Sequence, residues 1–354
     1  ALAPALVAVA AALTLTRAGA TVTGFIGHAL GVPSATSQLA LPTSGRLLVT
    51  ARGGTFVVSD DGSRARLGDW RQASWSPHGR YLAVAGAERL AAIDPHGRIQ
   101  WSLARSAVAD ASWYPPTGYR VAYLSGRTLR VVAGDGTGDR LLAAGVQRVA
   151  PAWRPSHPYQ LTYAARGRVV TRDADTGALI WTARARGVRE LQWSAAGARL
   201  LVRTRTGVTV LAGRGTTIAA VRAPTVDAAL SPDGRELALV RGGADRDVAI
   251  ARLAGPWAIS EPPPPVRSVM SAPGADQVAW SPNGRWLLVS WPAADQWVFL
   301  AAGRQPRIVA VSKIARRFAA GARGASVAGT GETIAGRTPA FPRVDGWCCI
   351  ADGG

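Results

Sequence analysis

Between residues 46 and 312 the chain alternates short apolar runs with clusters of Pro, Asp, Asn, Ser and Gly. The runs include Arg46-Leu47-Leu48-Val49, Tyr81-Leu82-Ala83-Val84, Arg120-Val121-Ala122-Tyr123, Arg199-Leu200-Leu201-Val202, Glu236-Leu237-Ala238-Leu239 and Trp286-Leu287-Leu288-Val289. Each is short, rich in β-branched or leucine side chains and bounded by turn residues, which predicts a strand rather than a helix. A further run follows in most cases, such as Thr55-Phe56-Val57-Val58, Arg168-Val169-Val170-Thr171, Val208-Thr209-Val210-Leu211 and Trp297-Val298-Phe299-Leu300. Turn residues then lead on again, as in Asp60-Asp61-Gly62, Asp94-Pro95-His96-Gly97 and Asp173-Ala174-Asp175-Thr176-Gly177.

The segment ahead of each first run repeats. Trp75-Ser76-Pro77-His78-Gly79-Arg80 returns as Trp280-Ser281-Pro282-Asn283-Gly284-Arg285 and as Leu230-Ser231-Pro232-Asp233-Gly234-Arg235. Weaker copies begin at Trp113, Trp153, Trp193 and Leu41. Anchors at 41, 75, 113, 153, 193, 230 and 280 are spaced by 34, 38, 40, 40, 37 and 50 residues. Proline presets the first turn position, Asp, Asn or Ser suits the next, and glycine closes the turn in the left-handed region. Four short antiparallel strands in each unit of about forty residues is the arithmetic of a propeller blade. The expected fold is all-β, a β-propeller of about seven four-stranded blades, with six or eight as the alternatives. The anchor tryptophans Trp75, Trp113, Trp153, Trp193 and Trp280 are expected between neighbouring blades.

This string resembles the W-S-P-D-G-R-x-L-A signature of WD-repeat-like blades in TolB-type propellers, over roughly Gln38 to Ser312. The resemblance is closest to exported, membrane-anchored propellers of GC-rich Gram-positive bacteria. It implies a ring that serves as a binding platform and leaves the ligand open, because one fold carries many functions.

Outside the repeats the chain changes character. Ala1 to Thr16 has no charged residue and is followed by Arg17. It reads as the end of a membrane helix, being short of the roughly 20 residues that span a bilayer, or as the apolar core of a cleaved signal peptide ending near Ala18-Gly19-Ala20. The expected organisation is an anchor or export segment over 1–20, a linker over 21–37, the propeller over 38–312 and a Gly/Ala-rich tail over 313–354. In that tail Phe341, Val344 and Trp347 give Pro339 to Cys349 enough apolar character to dock on the ring. The Glu261 to Pro265 proline run reads as a stiff connector, or as a recognition ligand.

The formal charge of +19, from 41 basic and 22 acidic residues, is carried almost wholly by arginine, with Lys313 the single lysine. These arginines are scattered through turns and strands without interleaved aromatics, which argues against a specific nucleic-acid reader. Cys348 and Cys349 are adjacent and cannot build a disulfide framework or a four-ligand zinc site. They read as ordinary tail residues, a vicinal disulfide or a partner-directed thiol. No metal pair is spaced among His28, His78, His96 and His157, and Asp173 and Asp175 open a calcium-like loop that lacks its closing Glu. Gly134 to Gly138 has neither the lysine nor the following helix of a phosphate loop and reads as a turn. No nucleophile elbow occurs, so the expectation is no catalytic residue, cofactor or metal.

One column does suggest a site. Three residues before each anchor stand Gln38, Gln72, Asp110, Ala150, Glu190, Asp227 and Gln277, six of them amides or carboxylates. Strand alternation turns this column away from the anchors and toward a central channel. These side chains either accept backbone N–H groups of the adjacent blade or form a polar ring for a cation or cationic group. The functional expectation is a non-enzymatic module, tethered or secreted outside a membrane, presenting one face to a protein or envelope partner. The alternatives are a sensor domain of a transmembrane regulator, and a hydrolase or lyase at the channel mouth.

Overall fold

The computed structural model describes residues 39–115, 117–243, 246–253, 264–303, 307–319 and 341–349. They form seven four-stranded antiparallel sheets, each taken in sequence order from an innermost to an outermost strand, apart from the first. Blade 1 uses Arg46–Ala51, Gly54–Ser59 and Arg64–Gly68, and its innermost strand is the C-terminal segment Arg343–Cys348. The other innermost strands are Gln72–Trp75, Val108–Trp113, Ala152–Trp153, Glu190–Trp193, Thr225–Leu230 and Gln277–Trp280, in blades 2 to 7.

The closing strand corrects the first repeat. Every anchor faces an apolar residue of the second strand: Trp75 pairs with Leu82, Trp153 with Leu161, Trp193 with Leu200, and Trp280 with Leu287. In blade 1 the residue paired with Leu47 is Trp347, not Leu41. Leu41 lies outside the sheet, buried, with its N–H on the Asp60 carbonyl at 2.9 Å. The ring therefore extends past Ser312 to include 343–348, and the two ends of the described chain share one sheet, removing the exposed edge an open ring would have.

The repeated string folds as a self-contained hydrogen-bonded turn. Ser76, Ser194, Ser231 and Ser281 accept through Oγ the N–H of Tyr81, Arg199, Glu236 and Trp286 at 2.9 to 3.2 Å. Asp233 and Asn283 accept both the hydroxyl of the serine two residues earlier and the N–H two residues later. The closing Gly79, Gly234 and Gly284 have φ of 63°, 71° and 67°, which a side chain resists.

The core is a series of layers between blades. Leu48, Val57, Leu82, Val84 and Ile93 pack blade 1 on blade 2, and Trp113, Val121 and Tyr123 meet Ala83, Leu90 and Ala92 across the next junction. At the junction of blades 7 and 1 the short helix Ile314–Ala319 inserts Phe318, 5.3 Å from the Phe56 ring and 5.5 Å from Trp297. Trp113, Trp153, Trp193 and Trp280 are buried as expected. Trp75 is only half-buried, and the Arg46 guanidinium covers its ring at 4.8 Å.

Several of the scattered arginines hold blades together. Arg46, Arg154 and Arg199 donate to the carbonyls of Gly79, Gly197 and Gly234 in the next blade, at 3.0, 2.7 and 2.7 Å. Burial pushes all three guanidinium pKa values down.

Candidate functional site

The innermost strands surround a channel of 1120 Å³ with two unlike mouths. Where the strands end, on the face carrying the Trp-Ser-Pro turns, Pro77, Pro155, Pro232 and Pro282 line it with Cys348 and Cys349, which are joined as a vicinal disulfide. Where the strands begin, the lining is charged, with Asp110, Glu190, Asp227, Asp276 and Asp345 among Arg148, Arg189, Arg203 and Arg343.

The column of amides and carboxylates joins blades. Gln72 Oε1 accepts the Asp110 N–H at 2.6 Å while its Nε2 donates to the Asp110 carboxylate at 2.9 Å, from blade 2 to blade 3. Asp227 accepts the Val278 N–H at 2.9 Å, from blade 6 to blade 7, and Gln277 accepts the Val344 N–H at 3.0 Å, from blade 7 to blade 1. Glu190 instead takes Arg203 of its own blade at 2.6 Å, and Arg203 reaches on to Asp227 at 3.7 Å. Ala150 lines the channel without a polar group, and Gln38 lies outside the described residues. The anchors return the connection in the other direction: Trp153, Trp193 and Trp280 donate Nε1 to Ser112 O, Thr162 Oγ1 and Ala229 O of the preceding blade.

Burial dominates the acids of this mouth. It pushes the Asp110 carboxyl up, against the Gln72 hydrogen bond and the charges of Arg343 and Arg148, which lower it. Asp227 is held well above the usual carboxylate range by burial and by the neighbouring Glu190 charge. Asp345 is raised to about 6 by burial, although Arg343 and a hydrogen bond from Thr50 favour its charged form. Burial also raises Asp276. The three acids of the column are thus accompanied by two more and by four arginines, so this mouth is a mixed-charge surface and not an acidic ring.

The column misses several members. Gln192, one residue before its anchor, accepts the Leu230 N–H at 2.8 Å across blades 5 and 6. Asp276 and Asp345 lie one residue off the column, where a local shift of register turns Asp345 into the channel. The arginines Arg148, Arg189 and Arg343 stand just ahead of it, at strand starts where alternation gives no guide.

A second concavity of 620 Å³ lies between blades 2 and 3 on the turn face. Tyr81 and Tyr119, 43% and 62% exposed, line it with Trp101, His78, Arg80, Gln100 and Asp135. Trp101 is fixed by its Nε1, which donates to the Gly134 carbonyl of blade 3 at 2.8 Å. Trp181 of blade 4 shares the ring position but not the hydrogen bond: it lies where a Cβ on Gly215 of blade 5 would fall, as Trp101 does against Gly136 of blade 3. A glycine four residues earlier, Gly97 or Gly177, is the sequence signal both tryptophans share. Gly134 to Gly138 is a turn, and Asp175 accepts Arg120 and Arg140 at 3.0 and 2.6 Å. Among the described residues no group of His, Cys, Asp and Glu has the geometry of a metal site, and no described helix is long and apolar enough to cross a membrane.

No protein-family profile and no curated protein matches the sequence. Solved structures do match the fold. Kluyveromyces lactis Hsv2 is 13% identical with a TM-score of 0.57, covering 77% of this chain and 95% of its own. The β-propeller domain of Myceliophthora thermophila Cps50 (Swd1) is 15% identical with a TM-score of 0.57, covering 75% of this chain and 97% of its own. A protein of Bacteroides uniformis named as a candidate 6-phosphogluconolactonase is 14% identical with a TM-score of 0.56, covering 76% and 97%. At these identities the likeness establishes one thing, that the chain is a seven-bladed β-propeller.

Proposed function

We propose that this chain is a non-enzymatic binding module, held on or released from the outer side of a membrane, whose turn face engages a protein or cell-envelope partner at the groove between blades 2 and 3. The observation that carries this reading is where the exposed aromatic surface lies. Of the exposed large apolar side chains among the described residues, the two aromatic ones, Tyr81 and Tyr119, both line that groove. Such rings combine large contact area with a polar tip and few rotamers to freeze, which suits recognition. The inner-strand amides and carboxylates, by contrast, are engaged between blades or with arginine, and make the ring a rigid support. The apolar stretch Ala1 to Thr16 and the TolB-like repeat string support export or anchoring. A sensor role fits the same topology if a cytoplasmic domain precedes it.

A hydrolase at the charged mouth is the second reading. Glu190 and Asp276 share the channel with arginines, and the Bacteroides uniformis protein shares the fold. Two measurements on the full chain separate the readings. Protease added to spheroplasts should digest the ring, and the purified chain should turn over no lactone, ester, peptide or glycoside. Protection from the protease contradicts the placement, and turnover abolished by Glu190→Gln replaces the binding module with an enzyme.

A further inference from the structure

The bond between Cys348 and Cys349 cannot serve the ring as a staple. A disulfide stabilises a fold by closing a loop of chain, and neighbours in sequence enclose none. It does lie where a small reagent can reach it: both residues are half-buried and line the turn-face mouth of the channel, among Pro77, Pro155, Pro232 and Pro282. Cys348 ends the ring-closing strand, paired with Arg46 across the sheet, and Cys349 follows outside it. Cys349 Sγ and the Arg46 guanidinium both occupy the space that a Cβ on Gly79 of blade 2 would need. That guanidinium donates to the Gly79 carbonyl at 3.0 Å and covers the Trp75 ring at 4.8 Å, and among the described residues no carboxylate pairs with it. A positive charge without a counter-ion therefore stands beside Cys349 Sγ.

We propose that Cys348 and Cys349 are a thiol–disulfide exchange site for a low-molecular-weight dithiol, with Cys348 the sulfur attacked and Cys349 the sulfur released beside Arg46. Exchange proceeds by attack of a thiolate on one sulfur, and it is faster when the departing sulfur is the better-stabilised thiolate. An adjacent guanidinium supplies that stabilisation, and arginine keeps its charge throughout. In the first step the incoming thiolate sulfur bonds to Cys348 Sγ, the bond between the two cysteines breaks, and its electron pair leaves on Cys349 Sγ. In the second, the other sulfur of the reagent, also as thiolate, bonds to the first, closing the reagent's own disulfide and expelling Cys348 Sγ as a thiolate. The dithiol has then lost two electrons and two protons, the cysteine pair has gained the electrons, and the protons go to the two cysteine sulfurs or to solvent. The site lies at the channel mouth and not in the groove between blades 2 and 3, so each reading can fail alone.

The test treats the folded full chain with two uncharged reagents, because a chain of charge +19 attracts anionic thiols diffusely. Dithiothreitol supplies the dithiol, and 2-mercaptoethanol, which cannot complete the second step, traps the first. After alkylation, fragmentation between the neighbouring residues shows by mass which one carries the trapped reagent. The expected adduct is on Cys348, with the alkyl group on Cys349. Reduction of the folded chain by dithiothreitol should slow about threefold or more in Arg46→Gln and recover in Arg46→Lys, which keeps the charge, while in denaturant all three chains should react alike. If Arg46→Gln does not fold, the position of the adduct on the wild type still decides. Reduction only after unfolding, an adduct on Cys349 as often as on Cys348, or a folded Arg46→Gln reduced as fast as the wild type would each overturn the site.

Discussion

Gln277 and Val344 stand 67 positions apart in sequence and meet as a reciprocal pair, the glutamine Oε1 accepting the valine N–H at 3.0 Å and its Nε2 donating to the valine carbonyl at 2.5 Å. The pair fastens blade 7 to the C-terminal strand that completes blade 1. Replacing Gln277 by Leu leaves both backbone groups of Val344 without their partner and should cost about 1 to 3 kcal/mol. Urea unfolding measures this, and a loss below roughly 0.5 kcal/mol would mean that water or another group serves the closing strand equally well.

The anchors should differ among themselves. Trp280 is buried with its Nε1 on the Ala229 carbonyl at 3.1 Å, and Trp280→Ala should cost about 3 to 5 kcal/mol. Trp75 is half-buried under Arg46, so Trp75→Ala should cost less, about 2 kcal/mol. Equal losses in denaturant titrations would contradict the unequal burial.

Asp345 gives the ring closure a pH dependence. Its carboxyl is raised by burial to about 6, against about 3.9 in an unfolded chain. Between these values the folded state holds the proton and the unfolded state does not. The contribution of Asp345 to stability therefore falls as pH rises from about 4 to about 6 and stays lost above. Relative to the wild type, Asp345→Asn should gain roughly 1 to 3 kcal/mol on going from pH 4 to pH 8. A difference between the two proteins that does not change with pH would contradict the raised value.

The seven-fold repeat was legible because turn chemistry is local: Trp-Ser-Pro-x-Gly-Arg states its own hydrogen bonds, and Ser76, Ser231 and Ser281 make them. Ring closure was not, because Arg343–Cys348 is a single strand with no turn of its own, and its partner Arg46–Ala51 lies at the other end of the repeats. Gln72, Asp227 and Gln277 of the column join neighbouring blades, as the hydrogen-bonding capacity of their side chains allows. Gln192, Asp345 and the arginines escaped it, because a one-residue register shift or a loop position breaks the period-two pattern on which the column rests.

The turn-face groove is the account's central claim, and Tyr81 and Tyr119 are its most accessible part. The measurement is co-sedimentation of the purified chain with isolated cell envelope, comparing the wild type with Tyr81→Ala/Tyr119→Ala and with Leu141→Ala/Leu179→Ala, which trims two exposed apolar side chains elsewhere on the ring. The account predicts that the tyrosine pair reduces the bound fraction by about tenfold or more, while its melting temperature and the binding of the leucine pair stay unchanged. Undiminished sedimentation of the tyrosine variant, or equal loss in both, would contradict it.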